Sequence, residues 1–250
     1  MVVGCSGGAL YAAMAAMGWD LARAERTTKE LWTRDITRRR NTRALLSAIL
    51  PQVFRFDERF GLVDDRIVLQ RLEMGFGTAR IQDARLPLFL TATDFHSGEQ
   101  VVFGEGPIVD AVRASIAIPY IFRPWKIGGR LLVDGFLSDP MPIGVAIREG
   151  ADIIITMGFE SPYQARVTSA LRFAFQLSSI TSNNLLKANF AFHNLAHHHE
   201  IIPIIPQFRE KLHLFDTDKI PYIIEEGERA AERQIPHIRS LIAADAAPRP

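Results

Sequence analysis

Residues 4 to 8 read Gly-Cys-Ser-Gly-Gly, a G-x-S-x-G pattern set between Met1-Val2-Val3 and the alanine-rich run ALYAAMAAM. A β-prone stretch, a glycine turn and a helix former confine this stretch to one local geometry. It is a strand ending near Cys5, a sharp turn at Ser6 and a helix that begins at once. Such an elbow lifts the serine clear of the sheet and aims the positive end of the helix at it. It also leaves the Gly7 N–H free to hold an oxyanion. Gly4, Gly7 and Gly8 let strand and helix approach where a Cβ would crowd the turn. Alone the pentapeptide is weak evidence, because short Gly/Ser loops are common. A serine also needs a neighbouring base before it becomes a nucleophile.

The rest of the chain alternates helix and strand signals. Gly18 stops the first helix, Asp20 caps LARAERTTKELWTR, and Asp64 caps DRIVLQRLE. LFLTATDF (88–95), a turn at His96-Ser97-Gly98 and EQVVF form a hairpin, and so does PWKI-GG-RLLVD (124–134). IVDAVRASIA and PIGVAIREG read as helices. DIIITMGF lacks alternation and reads as a strand buried on both faces. A helix over 163 to 189, the strand EIIPIIP and a one-sided helix, KIPYIIEEGERAAERQIPHIRSLIAA, follow. Residues 245–250 read as a disordered tail. The order describes one α/β domain over 1–250, a three-layer sandwich with a sheet flanked by helices.

Bulk properties exclude several classes of function. A formal net charge of +1 gives no field over the whole molecule that would serve a dedicated nucleic-acid binder. The single cysteine, Cys5, rules out an internal disulfide and suits a reducing compartment. No apolar run approaches the roughly 20 residues that span a bilayer, and no signal peptide is evident. A soluble, cytoplasmic protein is expected.

Two kinds of partner for Ser6 are available. His193, His197, His198, His199, His213 and His237 come late, as a triad histidine in an α/β-hydrolase order would. The HNLAHHHE cluster, however, reads as an exposed turn, and His193 with His197 lacks the third ligand of a zinc site. Asp134 is the better candidate. It follows the apolar strand RLLV and precedes Gly135, at the carboxyl end where α/β active sites collect.

Taken in order, GCSGGAL, TATDFHSGEQVVF, AVRASIAIPYIFRPWKIGGRLLVDG and REGADIIITMGF resemble the patatin-like phospholipase family. The strongest match surrounds Arg113-Ala114-Ser115, Pro119 and Phe122 and leads into Asp134-Gly135. The resemblance implies a three-layer fold around a central, mostly parallel sheet, and a Ser–Asp dyad without a catalytic histidine. Ser6 would be nucleophile, Asp134 general base, and the Gly7 N–H an oxyanion donor, with Gly4, Gly8 and Gly135 supporting the motifs. The implied substrates are glycerolipids and other acyl esters, with no metal or organic cofactor. The family carries a glycine-rich oxyanion loop upstream of its serine. This sequence begins three residues before the elbow, so a domain truncated at its N-terminus is expected. Phe136 and Asp139 depart from the usual pattern, while Pro142 matches it. Two functions stay open: a lipid acyl hydrolase, or a catalytically silent acyl-lipid-binding or regulatory protein.

Lesser features complete the reading. Arg34, Arg38, Arg39, Arg40 and Arg43 would offer peripheral contact with anionic headgroups, or simply a solvated face. Phe54, Phe56, Phe60 and Leu62 would line an acyl pocket or belong to the core. Cys5 reads as a packing residue, and Asp94 with His96 as a polar turn.

Overall fold

The structure, a computed structural model, describes residues 1–33, 35–38, 41, 42, 44, 46, 51–54, 57–160, 163, 166–196, 200–210, 212 and 216–245. The elements that position the site are strand β1 (Val2–Cys5), helix α1 (Gly7–Ala16), α2 (Leu21–Leu31), α3 (Arg66–Phe76), β2 (Leu88–Asp94), β3 (Gln100–Phe103), α4 (Ile108–Ser115), β4 (Trp125–Ile127), β5 (Arg130–Asp134), α5 (Ile143–Arg148), β6 (Ile153–Met157), α6 (Ala170–Ala196), β7 (Glu200–Ile204) and α7 (Ile220–Asp245).

Strand β2 is the ruler of the main sheet. β1 runs parallel to it from Val2 opposite Leu88 to Cys5 opposite Thr91. β3 returns antiparallel along Leu90 to Thr93, and β5 is antiparallel along Ala92 to Asp94. Because β3 overlaps both other ladders, β1 and β5 must share the opposite edge of β2. They run toward each other, and their carboxyl ends meet between Thr91 and Ala92. That head-on arrangement brings Ser6 to Asp134 across 128 residues of chain. β4 then pairs with β5 through Gly128 (φ 57°) and Gly129 (φ 85°), the two positive-φ positions that a two-residue hairpin turn demands.

The alternation of β1 separates the layers. Val2 packs into a cluster with Leu10, Met14, Leu72, Leu90, Ile108 and Phe122, whereas Val3 packs against Met141, Ile143, Ile154 and Ile201. Successive strand residues point to opposite faces, so helices α1, α3 and α4 cover one face and α5 and α6 the other. Small residues set the spacing. A Cβ on Gly4 would stand 2.6 Å from Ala9 Cα and Ala12 Cβ, which is why strand and helix can touch at the turn; Gly7 and Gly8, expected to share that task, have no atom within 4 Å of where a Cβ would stand, so close approach does not require them.

The α/β class and the flanking helices agree with the sequence reading, and both hairpins lie where it placed them. The sheet itself is mixed. Among the described residues β1–β2 and β6–β7 pair in parallel, the three remaining strand pairings are antiparallel, and β6–β7 forms its own two-stranded sheet. The hairpins impose two of these, β2–β3 and β4–β5, because a short turn can only join antiparallel neighbours. β6 is buried on one face only: Ile154 and Thr156 are covered, while Ile155 (49% exposed) and Met157 (61%) are not. Met141, Ile143 and Ala146 cover its inner face. Helix α6 begins later than expected and continues through His193, which is buried within it rather than on an exposed turn.

Asp20 caps α2 through a 2.7 Å bond from the Arg23 N–H. At α3 the helix starts one residue after Asp65, whose carboxylate is turned away to the buried Arg113. Asp64 instead accepts from the Arg66 N–H and guanidinium. Arg34, Arg39, Arg40, Arg43, Phe56, His197, His198, His199, His213 and residues 246–250 lie outside the described residues, and Arg38 and Phe54 are described in backbone only. Among the described residues no helix is long and apolar enough to cross a membrane.

Candidate active site

Ser6 closes β1 and opens α1 with φ 52° and ψ −132°, a conformation few residues other than glycine adopt. That strain of order 1–3 kcal/mol is held by its surroundings. The Ser6 C=O accepts from the Ala9 N–H at 2.9 Å, and the Ser6 N–H donates to Ser115 Oγ at 2.8 Å. The side chain does not cap the helix; its hydroxyl donates to Asp134 Oδ2 at 2.7 Å. Gly7 heads α1, exposed, with nothing within 4 Å of where a Cβ would stand. Its amide lies at a helix N-terminus, where the first N–H groups have no carbonyl partner within the helix.

Asp134 ends β5 and is 3% exposed. Its Oδ1 accepts from the Phe136 N–H at 2.9 Å, leaving Oδ2 for Ser6. The Asp134 N–H donates to the Ala117 C=O at 3.0 Å and its C=O accepts from Thr93 Oγ1 at 2.9 Å. Burial pushes the carboxyl pKa up to about 7, against the two hydrogen bonds that favour the charged form. Gly135 is required by space. A Cβ there would lie 2.6 Å from the Thr91 C=O and 3.0 Å from Cys5 Sγ.

A family model described as patatin-like phospholipase matches residues 1–147. The chain belongs to this family. An uncharacterized NTE family protein of Mycobacterium tuberculosis is 31% identical over 126 residues, covering 50% of this chain and 33% of that protein. A second one from the same species is 37% identical over 78 residues, covering 31% and 13%. The uncharacterized protein YqhO of Bacillus subtilis is 26% identical over 163 residues, covering 58% and 56%. The match thus spans about a third of the first mycobacterial relative's length.

Within this patatin-like site both departures from the usual pattern have local explanations. Phe136 serves through its backbone N–H, a task indifferent to side chain. Asp139 ties three elements together, accepting from Asn189 Nδ2 of α6 (3.0 Å), Gln100 Nε2 of β3 (3.3 Å) and the Met141 N–H. Burial raises its pKa. Burial, with Asp134 nearby, also pushes the Cys5 thiol up, and that protonated thiol donates to the Asp139 C=O at 3.4 Å.

The 2.7 Å bond leaves no room for an imidazole between Ser6 and Asp134. Of the described histidines, His193 lies beside Gly144 and Asp139, while His96 and His237 face Glu58 and Glu200 at the surface. Two further groups, both inside stretches that carry the resemblance, had no role assigned from the sequence. Thr93 and Ser115 hydrogen-bond the backbones of Asp134 and Ser6, and a lone hydroxyl inside a strand or helix carries no signal of its own. Of the expected pocket residues, Leu62 donates its N–H to the Tyr120 C=O at 2.9 Å, and it and Phe60 are half-buried.

Proposed function

We propose that this chain hydrolyses acyl esters of lipids through a Ser6–Asp134 dyad. The observation that carries the reading is the direct hydrogen bond from a strained, elbow-held serine to a buried carboxylate. Ser6 Oγ attacks the ester carbonyl carbon while its proton passes to Asp134 Oδ2. The tetrahedral oxyanion develops beside the Gly7 N–H and the α1 N-terminus, which stabilise negative charge there. Collapse breaks the bond to the alcohol oxygen, and Asp134 returns the proton to that leaving group. Asp134 then takes a proton from water, whose oxygen attacks the acyl carbon; the acyl C–Oγ bond breaks, the proton on Asp134 passes to Ser6 Oγ, and the fatty acid leaves.

The raised pKa of Asp134 suits the task. A carboxylate near its usual value of about 3.9 is too weak a base for a hydroxyl, and one poised near working pH is matched better. Exposed apolar side chains flank the dyad along the chain, Leu137 three residues beyond Asp134 and Tyr120 three beyond Ala117. They favour a substrate with an acyl chain over a small polar ester.

Hydrolysis of 4-nitrophenyl acyl esters and of phospholipid in mixed micelles tests this. The kcat/KM should rise with pH along a limb centred near pH 7, where Asp134 loses its proton. Ser6→Ala should fall to background. A flat profile between pH 5 and 8, or turnover that survives Ser6→Ala, would sink the reading.

A further inference from the structure

We propose that Ser115 is a positioning residue for the dyad: its hydroxyl fixes the nucleophile's backbone from the same short segment that fixes the base. This rests on the dyad reading. Ser115 is the last residue of α4 and fully buried. Its Oγ accepts the Ser6 N–H at 2.8 Å, a bond between residues 109 apart in sequence. Two residues on, the Ala117 C=O accepts the Asp134 N–H at 3.0 Å. One stretch of three residues therefore holds the main chains of both dyad members.

The need for such a brace follows from the topology. β1 and β5 are not paired with each other. They abut end to end on β2, and no ladder bond joins one tip to the other. Ser6 has left the strand, and its N–H takes Ser115 as acceptor instead of a ladder partner. Without that acceptor a partly buried amide is left unpaired and the positive-φ conformation loses a constraint. Small errors of position are expensive in reactions that depend on near-attack geometry.

The brace is itself anchored. Arg113, two residues earlier and fully buried, is paired with Asp65, donates to the Arg123 C=O at 3.0 Å and lies over the Trp125 ring at 5.0 Å. The end of α4 is thus fixed to α3 and to the β4 hairpin as well as to the dyad.

The test uses the full chain, wild type and Ser115→Ala, Ser115→Thr and Ser115→Cys, with two readouts. The first is the rate of Ser6 labelling by a fluorophosphonate, with kcat and KM on a 4-nitrophenyl ester. The second is hydrogen exchange of the Ser6 amide, resolved by fragmentation mass spectrometry. Ser115→Ala should lower the labelling rate and kcat by about 10- to 100-fold with KM nearly unchanged, and the Ser6 amide should lose at least tenfold protection. Ser115→Thr, which keeps the oxygen, should restore most of both. Should Ser115→Ala not fold, Ser115→Cys, a weaker acceptor of similar shape, should move both readouts the same way. Wild-type labelling with an equally protected amide in Ser115→Ala or Ser115→Cys would overturn the proposal. So would a loss of kcat matched by an equal loss in Ser115→Thr. A wild-type chain that does not label would count against the dyad itself, while the exchange readout still decides the Ser6–Ser115 bond.

Discussion

Asp134→Asn is expected to lose roughly 10³-fold or more in ester turnover while folding as well as, or better than, the parent. The amide keeps the size of the carboxyl and can still accept the Phe136 N–H, so the elbow's shape survives. It cannot take the Ser6 proton. The stability arm has a definite sign. The unfolded aspartate releases its proton near its usual pKa of about 3.9, whereas burial holds the folded one at about 7. Between those values the native state binds more protons than the unfolded state, so stability falls as pH rises. The contribution is fully present below about pH 4 and lost by about pH 7, after which the curve is flat. If the whole displacement were felt, the loss would be on the order of 4 kcal/mol, an upper bound. Asparagine does not titrate. The variant should therefore gain stability over wild type at pH 8 and gain little at pH 4, read by urea unfolding at the two values. A variant equally destabilised at both would mean that Asp134 is a packing residue and not a buried base.

The second large effect is structural. Asp65→Ala should cost about 3–5 kcal/mol, because it leaves the Arg113 guanidinium buried without its counter-charge. Burial already pulls the Arg113 pKa down against the pull of Asp65, so the pair is held at the expense of desolvation. Replacing both members with apolar residues of similar volume, Asp65→Leu with Arg113→Met, should recover much of the loss. Urea unfolding of the two variants gives the comparison. A cost below about 1 kcal/mol for Asp65→Ala would place Arg113 in contact with water and remove the anchor from the end of α4.

What could be read from the sequence divides along physical lines. Ser6 was legible because its elbow is local: glycines at 4, 7 and 8, a short strand before and an alanine-rich helix after. Asp134 stood out as the polar residue ending an apolar strand, followed by a glycine, but that pattern also fits an ordinary strand-to-loop turn, and only the resemblance implied a base there. The reason for that glycine, the crowding of Thr91 and Cys5, depends on sheet register and was not legible. The roles of Ser115 and Thr93 were hidden for the same cause, since their partners are fixed only when α4 and β2 take their places. The β6 pattern, five residues without a polar-apolar alternation, implied two covered faces. Only the packing of neighbouring layers reveals that a single layer covers it. His193 looked like part of a polar turn because the helix that carries it extends past the point where the sequence turns polar.

Activation of Ser6 by Asp134 has a covalent signature. Labelling of the 250-residue chain with a fluorophosphonate, with the modified peptide mapped by mass spectrometry, tests it most directly. One label is expected, on Ser6, formed in wild type and lost in Asp134→Asn. A label on another serine, or one on Ser6 that forms as fast in Asp134→Asn, would contradict it.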